Sequence, residues 1–453
     1  MMKYIQEPSK RTPVMAETDV LVVGSGPGGL SAALASAREG VKTMLVERYG
    51  CFGGVITQVG VETIAWYRHR DTVDSQGIGI ELEKRAEAMG GTRKESQSLS
   101  QALNSEIFKS VADALVAEAG IIPLLHCPAA HVLMDGPSIK GIITESKSGR
   151  QAILAKRVID ATGDADIAWH AGAPVRKTPR DEMMGATVVF SCTDVNKDKF
   201  LDYVAKKKPT YGDWDKKWAI ETSGKEKNLF SPYLSEPFQR ARKDGTIPAE
   251  LTSIGGTWST ISDTGEATYL NMTCISNCDG TDVRDLTRAE IDGRKQALLA
   301  IKALKQYVPG FEKAKLRNFG MTVGIRDTRK IIGKYNLTGN DVRHQGRFED
   351  AIGICPEFID GSGLLILPTT GRYFQVPFGI LVPRKIENLL IAGRCVAGDK
   401  ISHAAARNMM CCTVTGQGAG VAAAVSIKEN VACRKVKIST LQKVLKKQGV
   451  RIA

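Results

Sequence analysis

The sequence predicts an α/β fold in which one parallel-sheet domain, built from both ends of the chain, is interrupted by a segment of different character. Apolar runs alternate with small-residue helical segments near the N-terminus, and the same alternation resumes from about residue 388. The region between is rich in Lys, Thr and aromatic residues. A chain of 453 residues holds two or three domain-sized units. We expect a discontinuous domain of residues 15–191 and 346–453, with residues 192–345 inserted as an α+β domain.

A βαβ unit opens this pattern. Residues 19–24 form a short β-branched run followed by a Gly-rich turn, which predicts a buried strand. The small-residue segment that ends at Gly40 predicts a helix, and residues 41–47 predict a second strand. Together they make the minimal crossover of a parallel sheet.

The turn of this unit carries a GxGxxG motif. Gly24 allows the tight turn, Gly26 lets the backbone approach a pyrophosphate, and Gly29 lets helix and strand pack closely, with Gly28 beside it. The helix N-terminus then directs its amides at the phosphates. Glu47 closes the second strand, where an acid accepts hydrogen bonds from an adenosine ribose. The unit therefore predicts a bound dinucleotide.

Further glycine-rich turns follow predicted strands elsewhere in the chain. One follows the second strand, one ends the strand at residues 156–161, and one lies near the C-terminus. Turns at several strand ends that converge on one ligand favour a long, extended dinucleotide, FAD rather than NAD. The residues of these turns are Arg48, Gly53, Gly54, Gly163, Asp164, Gly393 and Arg394.

Several longer segments resemble one family of proteins. They are PVMAETDVLVVGSGPGG, VERYGCFGG, VIDATGDAD, LTRAEIDGRKQ with VPGFE, VGIRDTRKIIGKY, VPFGILVPRKIENLLIAGR and RNMMCCTVTGQGAGVAAA. The sequence resembles the FAD-dependent oxidoreductases related to the succinate dehydrogenase and fumarate reductase flavoproteins and to the heterodisulfide reductase A-like group. The resemblance implies a Rossmann-like, glutathione-reductase-like FAD domain interrupted by a substrate or cap domain. It also implies that a helix starting at Gly416–Gly420 directs its amides at the flavin pyrimidine.

Four residues are the candidates for the chemistry. His403 and Arg407 are four apart, a spacing that puts both on one helix face and resembles the HxxxR segment of succinate dehydrogenases. We predict His403 as acid or base, and Arg407 and Arg326 as anion holders. Tyr373 is a candidate proton relay or flavin wall. The alternatives are a packed polar His403, a structural Arg407, and an ion-pair network at Arg329–Lys330.

Charge and cysteine content restrict the partners. The net charge is +13, but the basic residues are spread along the chain and form no recognised nucleic-acid module, so we expect no nucleic acid. The ten cysteines form no paired CxxC boxes, so we expect neither zinc nor an iron–sulfur cluster. Cys51, two residues before the Gly53–Gly54 pair, is a candidate for covalent flavin attachment. The sequence has no apolar run of about 18 residues and no secretory signal, so we expect a cytoplasmic protein without a membrane span. A homo-oligomer is compatible with these features.

The expected reaction is hydride transfer between the flavin N5 and a small organic substrate. The positive net charge of the protein is compatible with an anionic substrate. A dehydrogenase, an oxidase and a C=C reductase all fit, and the electron acceptor or donor stays open. The alternatives are an NAD(P)H-dependent flavin monooxygenase and a flavoprotein electron-transfer subunit of a larger complex.

Overall fold

The computed structural model describes residues 3–64, 75–95, 100–207, 218–225 and 233–453. Its N-terminal elements, in chain order, are β1 (Val14–Val23), α1 (Pro27–Arg38), β2 (Thr43–Val46), α2 (Ile78–Ala88), β3 (Thr92–Lys94), β4 (Gln101–Leu103), α3 (Ser105–Glu118), β5 (Ile122–Leu124), β6 (Ala129–Asp135), β7 (Ser138–Ser146), β8 (Gly149–Asp160), α4 (Asp166–His170) and β9 (Val175–Lys177).

Elements of the central segment follow. They are β10 (Phe190–Thr193), α5 (Lys197–Ala205), β11 (Ala219–Glu221), β12 (Tyr233–Leu234), α6 (Glu236–Lys243), β13 (Gly256–Thr257), β14 (Thr260–Ile261), β15 (Ala267–Leu270), α7 (Val283–Tyr307) and β16 (Lys315–Phe319). Most of the Lys-rich stretch noted in the sequence, residues 208–217, lies outside the described residues.

The C-terminal elements complete the chain. They are β17 (Arg329–Ile331), α8 (Gly339–Arg343), β18 (Ala351–Pro356), β19 (Ile359–Gly361), β20 (Leu364–Ile366), β21 (Tyr373–Pro377), β22 (Leu389–Ile391), α9 (Lys400–Ala406), α10 (Met409–Lys428) and α11 (Ile438–Lys447).

The largest sheet has the order β5-β2-β1-β8-β7-β6, and β22 pairs with β8 as well. Strands β1, β2, β5, β8 and β22 run parallel, while β7 and β6 form an antiparallel flank. The residues of β1 from Val20 to Val23 are buried, as a strand covered on both faces requires, and this explains its unbroken apolar run. The predicted α/β fold with a parallel sheet is confirmed.

Two helices pack on this sheet through small residues. Helix α1 is buried along almost its whole length and lies against α10 from the other end of the chain. Helix α3 begins at Ser105, where the side chain of Asn104 caps it by accepting hydrogen bonds from the backbone N–H groups of Glu106 and Ile107.

The central segment has an apolar core of its own. A four-stranded antiparallel sheet, β14-β15-β10-β16, packs with α5, α6 and α7 around Phe200. The ring of Phe200 meets Trp258 and Phe311 edge to face, with ring centroids 4.8 and 5.2 Å apart. Ile331 and Leu337 belong instead to the core of the large sheet, so the chain has rejoined that core ahead of residue 346.

One helix in the described part of the chain has the length and composition of a membrane span. Helix α10 has a mean hydropathy of 1.4 over its most apolar window, although no apolar run of that length stood out in the sequence. Within the fold 94% of that window is buried. The described residues therefore contain no clear transmembrane segment.

Candidate functional site

A cavity of about 1030 Å³ lies between the large sheet and the four-stranded sheet. Its floor includes the carboxyl ends of parallel strands, at Val23, Val46, Ala161 and Gly393. This edge is where open α/β sheets bind their ligands. The volume is at the top of the range of about 300–1,000 Å³ that is typical of ligand pockets, which leaves room for a dinucleotide and a second small molecule.

The GxGxxG motif forms one end of the cavity. Gly24 has a φ of +95°, and a Cβ there would lie 2.5 Å from the carbonyl oxygen of Ala161. Helix α1 starts directly behind the turn, and no side chain of the described residues caps its first amides. A Cβ on Gly26 would meet only open space and the Cα of Gly54 at 3.9 Å, while Gly29 packs against Gly24. The arrangement leaves a bare backbone cradle of the kind that pyrophosphate needs.

Glu47 lies beside this cradle, and it is only 5% exposed. Its carboxylate accepts hydrogen bonds from the backbone N–H and the hydroxyl of Ser25, at 2.9 and 2.6 Å, and from the N–H of Tyr49 at 3.1 Å. Arg48 is exposed, and its guanidinium lies 4.9 Å from the centre of the Tyr49 ring. Both predicted residues line the cavity.

The two glycines that follow Arg48, Gly53 and Gly54, have different surroundings. Gly54 lines the cavity and packs directly on Gly26. Gly53 faces the side chain of Thr57 and is not among the lining residues. The Sγ of Cys51 also faces Thr57, 3.7 Å from its hydroxyl, and Cys51 does not line the cavity either. Its position gives no support to covalent attachment of a flavin.

Two of the predicted turns meet at an ion pair. Arg394, which follows β22, donates from Nη2 to Oδ1 of Asp164, which follows β8, at 2.8 Å. Gly163 makes room for this contact, because a Cβ there would lie 2.9 Å from Nη2. The Nη1 of Arg394 is buried and has no hydrogen-bond partner among the described residues. A buried donor left open at the cavity fits a bound anion or polar ligand.

The helix predicted to start at Gly416–Gly420 starts earlier. Helix α10 begins at Met409, so Gly416 and Gly420 lie in its interior and point no free amides at the cavity. A Cβ on Gly416 would overlap the carbonyl oxygen of Gly28, and one on Gly420 would overlap that of Ala32. The prediction of a cofactor contact at these two glycines is corrected: they let α10 pack closely on α1. The first turn of α10, including Met410, Cys411 and Cys412, lines the cavity.

The opposite end of the cavity is built by the central segment and by the residues that lead from it back to the large sheet. Arg326 donates from Nη1 to the carbonyl oxygen of Gly185 at 2.6 Å and from Nη2 to Oδ1 of Asn271 at 3.3 Å. The same Oδ1 accepts a hydrogen bond from the Thr187 hydroxyl at 2.8 Å. No carboxylate of the described residues lies within ion-pair distance of Arg326, so its charge is met only by neutral oxygens.

Arg407 also reaches the cavity. Its Nη2 contacts the backbone carbonyl and the carboxylate of Asp360, the latter at 3.1 Å. Its Nε is buried and lacks a hydrogen-bond partner within the described part of the structure. Burial lowers the pKa of Arg407, with the neighbouring Arg326 acting in the same direction. Two guanidinium groups therefore face one end of the cavity.

His403 does not line the cavity. It is 4% exposed, and its Nε2 lies 3.1 Å from the carbonyl oxygen of Arg326 and 3.6 Å from Asp327. Burial and the nearby Lys330 lower the pKa of His403 to about 3, so the imidazole is neutral at pH 7. The prediction that His403 exchanges protons with the substrate is not supported by this position, which matches the alternative of a packed polar residue.

A buried polar network surrounds His403. Asp327 accepts hydrogen bonds from the Lys330 ammonium and from the Thr178 hydroxyl. Arg329 contacts Asp166 and donates to the backbone carbonyl of Asp164 at 2.9 Å. These contacts join the residues around Arg329 to the end of the large sheet. They agree with the alternative in which Arg329–Lys330 belongs to an ion-pair network.

Tyr373 lies outside the cavity. The guanidinium of Arg347 covers its ring at 4.1 Å from the centroid, and the same side chain donates to the Tyr373 carbonyl oxygen at 3.0 Å. Strand β21 pairs with β18 in a two-stranded sheet, and this pairing places Tyr373 opposite Pro356. The predicted role as flavin wall or proton relay is therefore corrected.

Sequence reasoning missed several residues of the cavity. Tyr269, Asn271 and Glu95 all line its far end. Glu95 is 5% exposed and accepts a hydrogen bond from Ser259 at 3.2 Å. These residues stand in Thr- and Ser-rich stretches without a motif.

The chain is similar to several known proteins. A family model described as FAD dependent oxidoreductase matches residues 19–445. The dihydrolipoyl dehydrogenase of Chlorobaculum tepidum is 34% identical over 154 residues, which are 33% of this chain and 30% of that protein. The digeranylgeranylglycerophospholipid reductase of Picrophilus torridus is 26% identical over 198 residues, 41% of this chain and 48% of that protein. The matches thus span less than half the length of these two relatives.

A solved structure has a similar fold. It is a geranylgeranyl bacteriochlorophyll reductase-like protein from Thermoplasma acidophilum, with a TM-score of 0.50 and 16% identity, and the match covers 96% of this chain and 85% of that one. At this identity the likeness concerns the fold alone. The family match extends over nearly the whole chain, and the cavity combines a bare glycine cradle with an open arginine donor. The chain belongs to the FAD dependent oxidoreductase family, and it is an enzyme that uses FAD.

Proposed function

We propose that the enzyme transfers a hydride between the flavin and a small organic anion, as a dehydrogenase, an oxidase or a C=C reductase. The observation that carries this proposal is Arg326, a cavity cation whose partners are the carbonyl oxygen of Gly185 and the side-chain oxygen of Asn271. A charge held by neutral oxygens keeps its attraction for an incoming carboxylate or phosphate. Arg407 lines the same end of the cavity, and its buried Nε has no hydrogen-bond partner among the described residues.

We further propose which residues hold the cofactor. The amides at the start of α1 and the backbone at Gly24, Gly26 and Gly28 would face its pyrophosphate, since no side chain in the described part of the chain caps the helix start. Glu47 would accept from the ribose, and the open Nη1 of Arg394 would donate to the cofactor. When bound, the flavin supplies an N5 that accepts or donates the hydride.

The separation of these groups supports a division of the cavity. Glu47 and Arg48 lie at the edge of the large sheet, whereas Arg326 and Arg407 lie beside the four-stranded sheet and β19. We propose that residues 15–191 and 346–453 supply the FAD domain, and that residues 192–345 supply the substrate wall. Ile331 already lies in the core of the large sheet, so we propose that the inserted segment ends ahead of this residue rather than at residue 345.

The kinship with succinate dehydrogenase and fumarate reductase flavoproteins remains a proposal, based on the segments quoted in the sequence analysis and on the spacing of His403 and Arg407. Of these two residues Arg407 alone reaches the cavity. We therefore propose an anion held by Arg326 and Arg407, rather than a dicarboxylate held by His403 and Arg407.

An anaerobic titration tests the proposal. The FAD-loaded enzyme is mixed without oxygen with 2-hydroxy acids and amino acids. The dithionite-reduced enzyme is mixed with crotonate, fumarate, pyruvate and 2-oxoglutarate, and flavin absorbance is followed in both series. We expect at least one carboxylate to change the flavin redox state, and its uncharged amide to be much slower. Equal rates with acid and amide would contradict recognition of an anion.

A matched pair of variants locates the anion site. Arg326→Gln removes the charge and should raise the KM of the carboxylate by about 10- to 100-fold, because hydrogen bonds to charged groups contribute about 1.5–3 kcal/mol. The FAD content should not change. Arg347→Gln removes an arginine outside the cavity and should leave KM unchanged. A normal KM in Arg326→Gln would contradict the proposal.

Oxygen consumption separates the alternatives. A flavin monooxygenase would consume oxygen with NAD(P)H and place an oxygen atom in the product, which mass spectrometry with ¹⁸O₂ detects. An electron-transfer subunit would fail to react with any small molecule until its partner is added. The proposed hydride transfer proceeds in the single chain and without oxygen incorporation.

A further inference from the structure

Tyr269 has an unusual backbone conformation for a residue inside a strand. It is the third residue of β15, and its φ is +53°, in the left-handed region. A bulky aromatic residue in this region is a steric outlier, and such conformations cost on the order of 1–3 kcal/mol. They persist where the surrounding structure enforces them, and they cluster at functional sites.

A β-bulge produces this conformation. Strand β15 pairs Leu270 with Phe190 and Ala267 with Cys192, so it carries one residue more than β10 between these two pairs. The flanking residues Ala267, Thr268 and Leu270 are buried, which fixes the strand on both sides of the bulge. Bulges near active sites redirect a side chain, and this one brings Tyr269 to the cavity wall.

The hydroxyl of Tyr269 lies among polar groups. It interacts with the side chain of Asn271, whose Oδ1 already accepts hydrogen bonds from Arg326 and Thr187. The amide nitrogen of Asn271 is therefore the part that remains to meet the tyrosine oxygen. Because that nitrogen donates, the O–H hydrogen of Tyr269 is free to point at a molecule in the cavity.

The charges around Tyr269 favour its neutral form. Burial raises the pKa of Tyr269 to about 12, Glu95 and Asp360 act in the same direction, and Arg326 acts against them. At pH 7 the side chain is a phenol and can give a proton but not take one. Arg326, which we propose as the anion holder, is thus also the nearby charge that would stabilise the tyrosinate after proton transfer.

We propose that Tyr269 is the proton donor of the enzyme and that the enzyme works as a reductase. This inference rests on the proposed function. In the reduction of a C=C or C=O bond, one carbon receives a hydride from the reduced flavin, and the other atom of the bond receives the proton of the Tyr269 hydroxyl. The tyrosinate then takes a proton from water. A reduced nicotinamide, or dithionite in the experiment, supplies the two electrons for the next turnover.

The test uses Tyr269→Phe, with Tyr373→Phe as the matched control because that hydroxyl is outside the cavity. Each FAD-loaded protein is reduced with dithionite and mixed without oxygen with the reactive carboxylate from the panel above. We expect Tyr269→Phe to slow flavin reoxidation by about 10²- to 10⁴-fold, the usual contribution of a general acid. Substrate affinity and the rate of Tyr373→Phe should be normal.

The outcomes separate the two proposals. If no carboxylate reoxidises the reduced wild-type enzyme, reduction of an anion is wrong and this inference falls with it. If the wild type reacts and Tyr269→Phe reacts equally fast, the reaction stands and Tyr269 is not its proton donor.

A stability measurement on the protein without cofactor gives an independent readout. Tyr269→Asn and Tyr269→Ala both remove the ring, and Asn tolerates the left-handed region better than Ala, so Tyr269→Asn should unfold at a higher urea midpoint than Tyr269→Ala. Equal midpoints of the two variants would overturn the idea of a strained residue at this position.

Discussion

Arg394 and Asp164 join the two ends of the chain at the cavity: Nη2 of the arginine donates to Oδ1 of the aspartate at 2.8 Å. The aspartate follows β8 and the arginine follows β22, two neighbouring parallel strands. The same Oδ1 accepts a hydrogen bond from Thr328 at 2.6 Å. In this geometry the second terminal nitrogen of the guanidinium, Nη1, is buried and has no hydrogen-bond partner among the described residues, while Arg394 itself lines the cavity.

Replacement of Arg394 by Met should weaken FAD binding. Loss of a donor to a charged or polar ligand costs about 1.5–3 kcal/mol, which corresponds to about 10- to 100-fold in Kd. Flavin fluorescence in a titration of the apoprotein measures this Kd. Arg384→Met is the control, since its guanidinium donates to the carbonyl oxygen of Gly333 and does not line the cavity. An unchanged Kd in Arg394→Met would remove this residue from the cofactor site.

Replacement of Gly416 by Ala should destabilise the protein. The new Cβ would overlap the backbone carbonyl of Gly28, and neither helix can yield easily. We expect a loss of about 1–3 kcal/mol by urea unfolding, despite the better helix propensity of Ala. Gly418→Ala faces the flexible end of Ile352 and should cost less. Equal stability of the two variants would contradict the close packing of α1 on α10.

Stability should fall in mild acid because of His403. Its pKa is lowered to about 3 in the folded protein, against an ordinary value of 6.5, so the unfolded chain binds the proton first. The stabilising effect of the neutral imidazole is present above pH 6.5 and is lost as the pH falls from 6.5 toward 3. The unfolding free energy of His403→Gln should depend less steeply on pH over this window. Parallel profiles for wild type and variant would show that His403 titrates normally.

The cysteines should differ sharply in reactivity. Cys274 is half-buried, whereas the other nine are buried. The contact with Cys355, 2.8 Å away, and burial raise the pKa of the Cys411 thiol, and burial raises that of Cys412 to about 12. Since the thiolate is the nucleophile, we expect one fast thiol in the native protein with Ellman's reagent. The variant Cys274→Ser should lack that fast phase; a fast phase that persists would place the reactive thiol elsewhere.

The sequence was sufficient for the features that depend on neighbouring residues. The strand, the turn at Gly24 and the helix behind it form one continuous segment, and Glu47 stands at the end of the next strand. Their spacing alone fixes their relative position, because a βαβ unit has one common geometry. The cap at Asn104 is predictable for the same reason.

Contacts between distant segments were harder to predict. Helical spacing places His403 and Arg407 on the same side of α9, but it does not tell how far each side chain reaches. The short imidazole stops at the backbone of Arg326, while the longer guanidinium of Arg407 extends into the cavity. Likewise, a bulge at Tyr269 depends on the pairing of β15 with β10, about which a single strand sequence carries no information.

The contact of Gly28 with Gly416 also has a consequence for biosynthesis. The ribosome makes the motif at Gly24–Gly29 early, but the helix that covers it emerges about 390 residues later. At about 5–20 residues per second, the N-terminal turn waits on the order of 20–80 s for α10. The nascent βαβ unit should therefore be unable to retain FAD before α10 is made, and loading of the cofactor should follow synthesis of that helix.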